Sequence, residues 1–158
     1  MPALPMPMTF GQFSEPELLA PQLPGGGQDG AMRELTRRLE SAGRIQNAAQ
    51  FLETALAREA RQAMFVGQGV VVPHVRSSDV LRLSVAVGMA REGIPWVADK
   101  TARIVFLFAV PLDEAGRYLL LLSGLSRLMQ NKAAFAALQQ AAQPEEMWRV
   151  LNEIHLPG

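Results

Sequence analysis

The sequence predicts a single α/β domain: a three-layer sandwich in which a mixed β-sheet is covered by helices on both faces. Three observations carry that expectation. Helical spacing fills roughly residues 29–58, continuous apolar runs fill the middle of the chain, and helical spacing returns from Arg117 onward. With 158 residues, the chain is long enough for one well-buried core.

Residues 1–13 contain three prolines and no periodicity, and they read as a flexible tail before a domain spanning 14–156. "ELLAPQL" reads as a short edge segment, and "PGGGQDG" is a flexible break. Asp29 is placed to cap a first helix in which Met32, Leu35 and Leu39 recur, ended by Gly43. A second helix runs from about Asn47 through Phe51, Leu52, Ala55 and Leu56 to Arg58 or a little further. The period then changes. "GVVVP" is a β-branched run suited to a strand buried on both faces. "LRLSVAVGMA" alternates Leu81, Leu83, Val85, Val87 and Met89, and "ARIVFLFAVP" reads as a central strand. Arg117 to Met129 reads as a helix with a stripe of Leu119, Leu122, Leu125 and Leu128. Asn131 caps the next helix, and Pro144 with two glutamates opens the last.

Composition removes several function classes. Fifteen basic against fifteen acidic residues leave no electrostatic footprint for nucleic acid. The absence of cysteine rules out disulfides, thiolate metal sites and cysteine nucleophiles. "MPALPMPM" has no basic residue and is broken by prolines, unlike a secretory signal. No apolar run approaches the roughly 20 residues of a membrane helix. A soluble cytoplasmic protein with no cofactor and no metal is expected.

The residue that needs explaining is His74, one of only two histidines. Pro73 has no N–H for a ladder and holds Val72 extended, so His74 is expected beyond the carboxyl end of a buried strand, facing solvent. Open α/β sheets form their functional crevices there. Gly67 and Gly69 permit a tight preceding loop, but no Gly-Lys-Ser/Thr follows to make a P-loop. A lone histidine can be a general base, a metal ligand or a nucleophile that carries a group. The metal role lacks partners, since His155 lies in the C-terminal tail. No Gly-x-Ser-x-Gly elbow supports a hydrolase triad. Read alone, His74 is equally a half-buried histidine at a strand end, and Arg58 a surface arginine paired with Glu53 or Glu59.

The segment "AREARQAMFVGQGVVVPH" resembles the active-site region of the IIA domain of the bacterial sugar phosphotransferase system, of the mannitol/fructose and nitrogen-regulatory type. "LARE" supplies Arg58 and "VGQGVVVPH" supplies the glycine-rich strand ending in Pro-His. Similarity continues through "GIPW", where the family has a turn, through "ARIVFLFAVP", and into the leucine-rich helix. The resemblance implies that His74 accepts a phosphoryl group from the histidine phosphocarrier protein. It then passes the group to a IIB domain, or uses it as a signal toward a regulatory target protein. Arg58 would hold the phosphate oxygens.

This chain departs from the family where a second histidine usually opens the leucine-rich helix. "GRYLLLL" places Tyr118 there. A tyrosine can donate a hydrogen bond to phosphate but cannot carry positive charge; equally, it can simply cover the core edge. Met64 and Phe65 also replace smaller residues before the strand, which makes the rim bulkier. Two functions from different classes follow: an active phosphocarrier, or a binding module of the same fold that regulates a partner by contact. An unrelated α/β enzyme using His74 as a base is the third possibility.

Overall fold

The computed structural model describes residues 8–157. Its centre is a hairpin of two long strands, β4 (Ser84–Val97) and β5 (Lys100–Val110), paired antiparallel with Val85 opposite Phe108. The short strand β1 (Leu19–Ala20) lies parallel to β4 on one side. On the other side, β2 (Val70–Val71) and β3 (His74–Arg76) both run parallel to β5. The sheet is therefore mixed, with β4 and β5 at its centre.

Alternation along the strands splits the core in two. Ile104, Phe106 and Phe108 face α3 (Ala115–Gln130), α4 (Lys132–Gln140) and α5 (Pro144–Asn152), where they meet Leu121, Leu125, Phe135 and Met147. Val105, Leu107 and Ala109 face the opposite side, under α1 (Gly27–Ser41) and α2 (Ala48–Gln62). This is the expected α/β sandwich, helices on both faces of a mixed sheet.

Several local expectations are corrected. Residues 1–7 of the expected tail lie outside the described residues, but residues 8–13 are not a tail. Phe10–Phe13 form a 3-10 turn, and Phe10 is fully buried, edge-on to Phe106 and Phe108 at 6.0 and 6.4 Å. Two phenylalanines supply enough apolar area to anchor a segment whose prolines all precede it. The first helix begins at Gly27 behind an N-cap at Gly26, so Asp29 lies inside the first turn and pairs with Arg33. The buried stripe of α3 is Tyr118, Leu121, Leu125 and Leu128, while Leu119 is 61% exposed. A repeat of three drifts around a helix that turns 100° per residue; mixed steps of three and four stay on one face. Leu81 is exposed and β4 starts at Ser84. "GIPW" lies within β4, and the turn comes later, at Ala98 with its positive φ of 51°.

The strand does not stop at Pro73. β2 and β3 hold one register along β5, Val71 opposite Val105 and His74 opposite Phe108, so the chain continues past the proline without slipping. Pro73 interrupts only the donor side of the ladder, because its carbonyl still accepts the Phe108 N–H at 2.9 Å. His74 consequently opens a strand and is half-buried, instead of facing solvent beyond one.

Candidate functional site

Three segments bring side chains together where the chain leaves Pro73. The first is β3, which presents His74 and Arg76; ahead of β2, Gly67, Gln68 and Gly69 all take positive φ and the Val70 N–H closes the turn onto the Gly67 carbonyl at 2.9 Å. A side chain at Gly69 would press on Arg103 at 3.1 Å, so glycine keeps this loop tight against β5. The second is the last part of α2, which presents Thr54 and Arg58 one turn apart. The third is the first turn of α3, which presents Tyr118. Together Thr54, Arg58, His74, Arg76, Leu112 and Tyr118, with Val75 and Val110, line a cleft of about 360 Å³.

Within it, the imidazole of His74 stacks on the phenol of Tyr118, ring centroids 5.3 Å apart and planes 30° from parallel. Tyr118 in turn packs edge-on against Phe108 at 5.3 Å. The phenol is 9% exposed, and its buried hydroxyl has no hydrogen-bond partner among the described residues. Burial pushes its pKa up to about 12, with the Arg58 charge opposing, so the hydroxyl keeps its proton. Burial also pushes the His74 pKa below the ordinary histidine value. Arg58 lowers it further, and the Val72 carbonyl, which favours the protonated ring, offsets part of this. His74 is therefore neutral at pH 7 and retains a nitrogen lone pair.

Arg58 is exposed and forms no ion pair with any described residue. The alternative of pairing with Glu59 does not hold, because that carboxylate is buried and accepts the Trp96 indole N–H at 2.8 Å. Glu53 forms no ion pair with any described residue either. The arrangement thus offers one neutral nucleophilic ring, one guanidinium with free donors, and one protonated hydroxyl without an acceptor. No carboxylate lines the cleft, so His74 has no partner of the kind that drives a base in a triad. No group of three His, Cys, Asp or Glu residues able to hold a metal occurs among the described residues. These are the makings of an oxyanion site beside a nucleophile.

All three residues singled out in the sequence meet in this cleft. Two others were missed, though periodicity could have found them. Thr54 lies four residues before Arg58 on one helix face, and Arg76 lies two after His74 on one strand face. The Arg76 guanidinium donates to the Leu112 carbonyl, which holds its charge at the rim.

The family model described as "Phosphoenolpyruvate-dependent sugar phosphotransferase system, EIIA 2" matches residues 13–154. The chain belongs to this family. It is 30% identical over 140 residues to the "PTS system fructose-specific EIIA component" of Haloferax volcanii, covering 87% of this chain and 91% of that protein. It is 31% identical over 127 residues to the "PTS system 2-O-alpha-mannosyl-D-glycerate-specific EIIABC component" of Escherichia coli. That match covers 78% of this chain but only 19% of the longer protein's length. Among solved structures, the nitrogen regulatory protein IIA-Ntr of Neisseria meningitidis superimposes with a TM-score of 0.78 at 25% identity. The superposition covers 89% of this chain and 97% of that one. This EIIA domain therefore has the fold of both sugar-named and nitrogen-regulatory relatives. No helix among the described residues is long and apolar enough to cross a membrane.

Proposed function

We propose that this EIIA domain is a cytoplasmic phosphocarrier that takes a phosphoryl group onto His74 from the histidine phosphocarrier protein and passes it to a IIB domain or a regulatory target. One observation carries this reading: the exposed guanidinium of Arg58, with no ion pair among the described residues, lines one cleft with a half-buried His74 whose ring stacks on the phenol of Tyr118. In the uptake step, the His74 lone pair attacks phosphorus and a new P–N bond forms. The P–N bond to the donor's histidine breaks, and the donor ring keeps that electron pair. The return step reverses this with the next acceptor. Little proton movement is needed, so catalysis rests on positioning and on charge stabilisation. Arg58 supplies the charge and Tyr118 the neutral donor. Its stacking also fixes the plane of the nucleophile.

A second reading is favoured by the same tyrosine. With a neutral phenol where the family usually has a histidine, a module that regulates a partner by contact also fits the fold, although Met64 and Phe65, expected at the rim, do not line the His74 cleft. Incubation with the phosphocarrier system and labelled phosphoenolpyruvate separates the two. The carrier reading expects an acid-labile phosphate that maps to His74 and disappears in His74→Ala. A wild-type protein that stays unlabelled while still binding its partner would leave the contact regulator.

A further inference from the structure

α2 carries Arg58 close to its end, and what holds that end is unusual. The residues α2 buries are Phe51, Ala55 and Glu59, spaced four apart on one face. Full apolar burial stops at Ala55, and beyond it only Leu56 and Ala63 pack in part against the same core. From Leu56 to Gln62, Glu59 is the only buried side chain, and it is a carboxylate. It reaches across to Trp96, itself 5% exposed, whose indole N–H donates to Oε1 at 2.8 Å. Trp96 stands near the tip of the β4–β5 hairpin, inside the second register shift of β4, between Pro95 and Val97. The same tip makes a second contact with the chain that follows α2. The Lys100 ammonium lies 5.6 Å from the Phe65 ring centroid, and Phe65 bridges to Val71.

A buried carboxylate with one neutral donor is a costly way to fill a core position, and an apolar side chain would pack there without loss of solvation. What the pair provides, and an apolar residue would not, is direction. Successive residues on a helix differ by 100° in azimuth, so fixing Glu59 on the hairpin fixes where its neighbour Arg58 points. Burial raises the Glu59 pKa, while the indole hydrogen bond and the Arg58 charge oppose that rise.

We infer that the Trp96–Glu59 hydrogen bond is a brace between the hairpin tip and α2 that aims the Arg58 guanidinium at the group on His74, which makes Glu59 and Trp96 positioning residues for phosphoryl transfer. The inference rests on the carrier reading above. Its strongest consequence is conditional: the brace matters to transfer only through Arg58.

The test compares uptake rates in wild type, Trp96→Phe, Arg58→Ala and the double variant, with thermal unfolding of each. Trp96→Phe keeps an aromatic ring and removes the donor, so uptake should slow roughly three- to tenfold with the fold intact. In the Arg58→Ala background, the same change should cost nothing further, because residues acting through one another are not additive. Glu59→Gln keeps an acceptor for the indole and should lose less than Glu59→Leu. An unchanged rate in Trp96→Phe, or an undiminished penalty without Arg58, would overturn the brace. Should wild type take up no phosphate, the carrier reading fails and the brace is judged separately, by the Arg58 Nε–H resonance in ¹⁵N spectra. It should shift or broaden in Trp96→Phe, and a resonance that stays in place would sink the assignment.

Discussion

Arg44 and Arg58 sit at opposite ends of the segment that contains α2, and their surroundings differ in every respect that matters to a charge. Arg44 is 2% exposed, donates to the Ser84 hydroxyl at 2.7 Å and pairs with Glu15 at 2.5 Å. It ties the segment before β1 to the start of β4. Arg58 is exposed, has no partner among the described residues, and lines the same cleft as the ring of His74 and the phenol of Tyr118. Buried cations are kept only where they are paired. An exposed arginine without a partner costs little to keep, and its free donors are available to an anion. One arginine holds the fold together; the other, on the carrier reading, is free to meet the phosphate.

The largest expected effect is at the residue Arg58 faces. His74→Ala should abolish phosphate uptake and lower stability by only about 1 kcal/mol, the scale of one lost aromatic contact. Normal uptake in that variant would end the carrier assignment. The arginines then give opposite outcomes. Arg58→Ala should slow uptake by about 2.7–4 kcal/mol in barrier, as for one lost oxyanion donor, with stability unchanged. Arg58→Lys should recover only part, because an ammonium cannot make a bidentate contact. Arg44→Ala should do the reverse, costing about 1–3 kcal/mol of stability while uptake per folded molecule holds. If Arg58→Ala unfolds the protein, or Arg44→Ala silences it, the contrast between them is wrong.

pH sharpens the same contrast. The folded-state pKa of His74 lies below 6.5, so the folded protein resists protonation there more than the unfolded chain does. Between those two pKa values the unfolded state binds more protons. Stability is fully present above 6.5 and is lost as pH falls through the folded value. Uptake follows the neutral ring, so it should be flat above pH 6.5 and fall on acidification. Removing Arg58 takes away one cause of the lowered pKa, and the inflection of the uptake profile should move upward in Arg58→Ala. An inflection that stays put would mean burial alone sets the value.

Where the sequence was legible, the reason was periodicity. The continuous run of β5, the cap at Asn131 and the proline opening α5 all depend on local spacing, and all appear in the structure. His74, Arg58 and Tyr118 could be named because they lie in or beside a short motif. Local pattern failed where a long-range partner decides. Nothing near Phe10 in the sequence announces that Phe106 and Phe108 will receive it. Nothing before Glu59 announces an indole 37 residues away. Pro73 was expected to end a strand, yet β5 supplies acceptors and donors on both sides of it and carries the register through.

The smallest effect belongs to Tyr118, and it is the most diagnostic. Its hydroxyl is buried without a partner, so Tyr118→Phe removes an unsatisfied polar group and should leave stability unchanged or slightly raised. Most deletions of a buried hydroxyl do the opposite, which separates this prediction from a packing role. The stacking on His74 survives in phenylalanine, so any change in rate reports the hydroxyl alone. If the group donates to phosphate, uptake should slow by about 0.5–1.5 kcal/mol in barrier, the scale of one neutral hydrogen bond. Tyr118→His supplies a donor that can also carry charge, and should raise the rate most at mildly acidic pH, down to the point where His74 itself protonates. Three equal rates for wild type, Tyr118→Phe and Tyr118→His would show that the hydroxyl takes no part in transfer. The charge on Arg58 would then act on the phosphate alone.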